Sequence, residues 1–187
     1  MKKSLLLLLP LLAGCFTSSS ASSVSHWPIE YVGKAQARPA AALGLGRITQ
    51  VVVRTPYNDD GIVVLRKNGT VETDAYNEFV AQPSFLLKGV VFDAMEASGA
   101  FSSVLNASSS VVESVSVEVM VTRLALDCRR EGAREAVVEL VLRIVKDGAL
   151  MQVEKGEGSS DAEDGDYGAA FSRAVSAALS AAFGNLR

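Results

Sequence analysis

From Val115 to Val121 every second residue is valine, with Ser116, Glu118 and Met120 between. Successive side chains on a strand point to opposite faces, so this alternation specifies a strand with one buried face. The parity changes at Leu124 and Leu126, which predicts a bulge near Thr122–Arg123. After a polar loop at Arg129–Gly132, Ala136, Val138, Leu140, Leu142 and Ile144 alternate again, with Val137, Glu139, Val141, Arg143 and Val145 on the second face. Lys146-Asp147-Gly148 turns the chain, and Ala149–Val153 is expected to return as a third strand. Long strands joined by short loops make an antiparallel meander, and any fold for this chain must be built around it.

Upstream, Arg47–Val53 is β-branched and reads as a strand. Pro56 and Asn58-Asp59-Asp60-Gly61 signal a turn before a second strand at Gly61–Lys67. Asn68-Gly69 marks a hairpin, with Thr70–Thr73 returning. Between Gln82 and Gly99 the period changes: Leu87, Val91, Ala94, Met95 and Ser98 recur at helical spacing. Pro83 suits the first helical turn and Gly99 the C-terminal cap. Phe101–Leu105 is expected as a short strand.

Six acidic residues lie among Gly and Ser from Glu154 to Asp166. The spacing lacks the D-x-[DN]-x-[DN]-G pattern of a calcium loop, so a solvated loop is expected, with Asp166 at a helix N-cap. Tyr167, Ala170, Phe171, Ala174, Val175, Ala178, Leu179, Ala182, Phe183 and Leu186 then hold one helical face. The opposite face lacks the Lys/Arg wealth of an interfacial helix, and the alanines allow close approach to a sheet. The expected class is α+β: a mainly antiparallel or mixed sheet of about five to six strands with two helices on one face.

The N-terminus has a different logic. Met1-Lys2-Lys3 is basic, Ser4–Leu12 is rich in leucine, and Leu12-Ala13-Gly14-Cys15 follows. A basic start, an apolar run and a small-residue cleavage site make a secretory signal. The apolar run is about half the ~20 residues that a spanning helix needs. Leu12-Ala13-Gly14-Cys15 resembles the bacterial lipobox, which implies acylation of the Cys15 thiol and cleavage before it. The Ser-rich stretch Phe16–Ser25 suits a tether. The expected organisation is a signal peptide over 1–14, a lipidated N-terminus and flexible tether over 15–42, and one domain over 43–187. Phe16 rather than Asp follows Cys15, which favours the outer membrane under the common sorting rule.

Removing Lys2 and Lys3 takes the formal charge from −3 to −5. A mildly acidic domain without a Lys/Arg stripe offers no electrostatic case for nucleic acid. With Cys15 acylated, Cys128 has no partner for a disulfide and reads as a buried or strand-end thiol. The sole histidine, His26, lies in the expected tether beside Trp27-Pro28. No nucleophile elbow, H-E-x-x-H or C-x-x-C occurs, and Gly44-Leu45-Gly46 lacks the third glycine of a nucleotide loop. A carboxylate pair such as Glu118 and Glu139 could sit on neighbouring strands, and alternation does not require them to meet. The expectation is a non-catalytic protein with neither metal nor cofactor.

The segment Gly61–Leu105 resembles the ABC-type transport auxiliary lipoproteins, periplasmic accessory subunits of transporters, many of them working with MCE-type lipid carriers. The resemblance rests on Arg66 near a strand end, Tyr76 and Phe79, Pro83, the helix to Gly99, and then Phe101 and Val104. It extends diffusely over Leu43–Leu186, and Phe79-Val80-Ala81 stands where the family commonly has Trp-Ala. It implies an accessory role, with an ABC permease, an ATPase or an MCE protein as partner and lipid as a possible ligand. The alternative is a structural or regulatory lipoprotein of the envelope that contacts cell-wall synthesis proteins. Candidate partner contacts are Tyr76 and Phe79, for which core packing is the favoured reading, and Val117, Val119 and Val141 on the long hairpin, which is apolar on both faces and suits packing and docking about evenly.

Overall fold

The computed structural model describes residues 23–35, 43–163 and 165–186. Its elements are β1 (Ser25–Trp27), β2 (Leu45–Val53), β3 (Gly61–Arg66), β4 (Val71–Phe79), α1 (Pro83–Ser98), β5 (Ser103–Leu105), β6 (Val115–Cys128), β7 (Glu135–Lys146), β8 (Ala149–Asp161) and α2 (Tyr167–Gly184). The meander is β6–β7–β8, antiparallel throughout, with Val117 opposite Ile144 and Val119 opposite Leu142. Its register shifts between Val121 and Arg123, where the parity change predicts a bulge.

β6 organises the sheet. β7 lines one side of it, and the other side is shared by two parallel strands: β2 along Val115–Val121 and β3 along Leu126–Cys128. β5 extends the sheet beyond β2, and β4 then β1 extend it beyond β3. The sheet is therefore mixed, and among the described residues it has eight strands rather than five to six. β1 and β5 are three residues each, too short to display an alternation, and they form by pairing in parallel with β4 and β2.

β8 corrects a second expectation. It continues to Asp161, so most of the acidic Gly/Ser stretch is strand. Its composition is poor for a strand. Two tertiary contacts outweigh that: β7 pairs with it along its whole length, and Gly156 and Gly158 face α2. A Cβ on Gly158 would lie 2.1 Å from the Ala174 carbonyl oxygen, and one on Gly156 would lie 2.0 Å from that of Ala178. Only glycine admits a helix backbone this close.

The helix face of the sheet holds one core. Val117, Val119, Leu142 and Ile144 of β6 and β7 share it with Leu87, Val91 and Met95 of α1 and Phe171, Val175 and Leu179 of α2. α1 begins at Pro83 and ends at Gly99 with φ 64°, the left-handed cap expected of that glycine. Asp166 stands at the N-cap of α2, yet its carboxylate does not cap the helix and lies 3.6 Å from Arg173 instead. The opposite face carries a small cluster, Val63, Leu65 and Ala125, with Tyr57 and Val137 against it. Glu139 pairs there with Arg123 at 2.7 Å and Glu118 with Arg143 at 3.9 Å, so the two carboxylates do not form a couple.

Candidate functional site

Cys15 and the rest of the lipobox, Leu12, Ala13 and Gly14, lie outside the described residues, as does the serine-rich segment up to Ser22. The chain can be followed from Ser23, and its course differs from that of a tether. Ser25–Trp27 pairs with Asn77–Phe79, and the Trp27 indole N–H donates to Asn77 Oδ1 at 3.0 Å. The Trp27 ring meets Tyr167 edge-on with centroids 5.9 Å apart, and Ile29 is buried in the core.

Beyond Pro28 the chain runs along α2 as a strap. The Glu30 amide donates to Ser172 Oγ at 2.9 Å and the Val32 amide to Ser176 Oγ at 2.8 Å. The Tyr31 hydroxyl lies 3.3 Å from Ser180 Oγ. Two residues of extended chain advance about 6.6 Å, and four residues of helix about 6.0 Å. Ser172 and Ser176, four residues apart, therefore keep pace with Glu30 and Val32, and Ser180 one turn on meets the Tyr31 side chain. These serines lie off the apolar stripe of α2, and their four-residue spacing is the signal that the sequence carries. His26, expected in the tether, sits on β1 with Nε2 3.6 Å from Glu78.

A surface groove of about 390 Å³ opens where the strap meets the start of α2, between Trp27, Pro28, Glu30, Val32, Ser172 and Arg173. It is largely apolar, with one acid and one base on its lining. Between sheet and helices, where a lipid groove would have to lie, Phe171, Leu179 and Met95 fill the space and the Gly156–Gly158 contact closes it at β8.

The candidate partner residues divide. Phe79 is 2% exposed and meets Phe171 edge-on at 5.1 Å, so it is core. Val117 and Val119 are buried beneath the helices, because their parity is that of the core face, and they form no outer surface. Tyr76 is 57% exposed on β4, and Val141 is half-buried on the helix-free face. These two remain accessible.

A further rigid feature was not legible in the sequence. The Arg47 guanidinium pairs with Glu113 at 2.9 Å and donates to the carbonyls of Asn106, Ser109 and Val111. It fixes the loop 106–114, whose tip exposes Val111 and Val112.

The titratable groups have structural causes for their shifts. The Arg129 guanidinium hydrogen-bonded to Asp127 holds its carboxyl below the usual range. Burial pushes the thiol of Cys128, the last residue of β6, up from its ordinary value. Among the described residues no three His, Cys, Asp or Glu side chains gather as metal ligands. No described helix is long and apolar enough to cross a membrane.

No family model matches the sequence, and no curated protein does. Solved structures do share its shape. A protein from Xanthomonas campestris with the family description DUF330 aligns with a TM-score of 0.70 at 16% identity, covering 85% of this chain and 91% of its own. A second solved protein, described as uncharacterized, has a TM-score of 0.52 at 14% identity, covering 81% of this chain and 92% of its own. PelC from Paraburkholderia phytofirmans, solved as a dodecamer, scores 0.44 at 12% identity, covering 83% of this chain and 94% of its own. At these identities the first two comparisons show the fold, and the third supports no inference.

Proposed function

We propose that this protein is a lipid-anchored, periplasm-facing lipoprotein that serves as a non-catalytic accessory subunit of an ABC-type transport system working with an MCE-type lipid carrier. The observation that carries the anchor is Leu12-Ala13-Gly14-Cys15 directly after a short apolar run. Two acyl chains on one residue would hold the protein stably, because each buried CH₂ contributes about 0.8 kcal/mol. The transporter assignment is supported by the resemblance over Gly61–Leu105. The outer membrane is the favoured destination, since Phe16 follows Cys15. Tyr76 and Val141 are the accessible residues through which we place partner contact.

The test is mass spectrometry of the full-length, membrane-extracted protein and of whatever co-purifies with it. An N-terminal peptide that begins at Cys15 and carries acyl chains, together with a permease, an ATPase or an MCE protein, is the expected result. Acylated Cys15 with cell-wall synthases would keep the anchor and replace the transport role with the structural one. An unmodified Cys15 would remove the anchor.

A further inference from the structure

The free side of β8 bounds the sheet. This strand is thirteen residues long, pairs among the described residues with β7 alone, and keeps regular register from Gln152 to Asp161. Exposed edges of this length are uncommon, because unpaired amides and carbonyls recruit another strand. Leu150, Met151 and Val153 are also exposed on it.

The sequence at its centre, Glu154-Lys155-Gly156-Glu157-Gly158, is complementary to itself when reversed. Two copies placed antiparallel about Gly156 set Lys155 of each against Glu157 of the other. Both side chains are exposed and lie on the helix-free face, where Lys155 is opposite Val141 and Glu157 opposite Glu139. Neither is held in an ion pair or hydrogen bond by a described residue. A continuous sheet with matching faces permits only shifts that move the two-fold by a whole residue. Centring on Lys155 juxtaposes two lysines, and centring on Glu157 juxtaposes two glutamates, so among these three Gly156 is the register that pairs opposite charges.

α2 supplies an independent observation on the same side. Arg173 donates to Ser160 Oγ at 2.8 Å and to the Asp161 carbonyl at 3.2 Å, which places its stripe of the helix over the β8 edge. Further along that stripe stand Ala177, Ala181 and Gly184, all exposed. α2 runs antiparallel to β8, with Ala174 against Gly158 and Ala178 against Gly156. A two-fold at Gly156 therefore brings two copies of α2 together at Ala177 and Ala181. Neighbouring strands lie about 4.8 Å apart, while helix axes need 8–10 Å. Each α2 also covers β7, so the axes are set back from the edge, and alanine permits the remaining approach.

We infer that β8 is a self-association edge: two copies of this chain pair antiparallel about Gly156 to form a two-fold dimer with one continuous sheet and abutting α2 helices. The interface is isologous, so each contact occurs twice. The inference does not depend on the anchor or on the transporter assignment.

The test is the mass of the full chain, extracted in detergent, by sedimentation or native mass spectrometry at micromolar concentration. A dimer is expected. Lys155→Glu or Glu157→Lys alone should raise its dissociation constant about tenfold, since both cross-strand pairs become repulsive. The double variant Lys155→Glu/Glu157→Lys should restore it. A second set of variants reads geometry: Val153→Cys with Ser159→Cys, opposite each other across this two-fold, should form an intermolecular disulfide on mild oxidation. A monomeric wild type, or an oligomer indifferent to these charges and to the cysteine pair, would overturn the proposal.

Discussion

Single residues carry this fold at places where a side chain is missing or a charge is held. Gly158→Val should destabilise the protein by about 3 kcal/mol or more, because its Cβ meets the backbone of α2, and overpacked cores lose 1–3 kcal/mol even where side chains can yield. Urea unfolding would measure the loss, and Gly148→Ala, where no atom lies within 4 Å but φ is 76°, would separate crowding from simple backbone strain. Asp127 gives the pH prediction. Arg129 lowers its folded pKa, so the stabilisation is full above about pH 4, the ordinary range, and is lost as pH falls through the folded value. Arg129→Gln should raise the Asp127 pKa in an NMR titration. The stability gap between wild type and variant should be constant at neutral pH and shrink in acid. Neither Gly158 nor Asp127 is singled out by the sequence, since glycines in an acidic stretch read as loop and Arg129 reads as the start of a polar loop.

Elements show how far periodicity reaches. α1, α2, β6 and β7 were legible because each repeats its apolar residues at the spacing of its own geometry over three or more turns or pairs. The strap was not, since residues 28–32 have no period and owe their course to Ser172, Ser176 and Tyr31–Ser180 on another element. Ser176→Ala removes the acceptor of the Val32 amide. Such a loss costs about 1 kcal/mol. It should appear as faster amide exchange at Val32, with the melting of α2 little changed. If Val32 exchange is unaltered, the Ser176 hydroxyl does not hold the strap, and its course rests on the remaining contacts of Trp27, Ile29, Glu30 and Tyr31.

For the molecule as a whole, the two faces of the meander predict opposite outcomes for adjacent residues. Leu142 is fully buried between β6 and the helices, whereas Val141 looks out from the helix-free face. Leu142→Ala should cost about 3–4 kcal/mol of unfolding free energy, and Val141→Ala under about 1 kcal/mol. Chemical denaturation of both variants checks the face assignment. If Val141 contacts a partner, its variant should lose complex formation while its melting curve stays in place. The sequence by itself determined the meander, its bulge, both helices and the N-terminal Leu12–Cys15 signature, because each is written in local spacing or in a contiguous motif. It also determined which residues share a face, though not which face is covered. Only the tertiary structure decided that Val117 and Val119 lie under helices, that β8 continues through Gly156 and Gly158, and that residues 25–32 lie on the domain. Those outcomes rest on contacts between residues distant in the chain, where a neighbouring strand or helix outweighs local propensity.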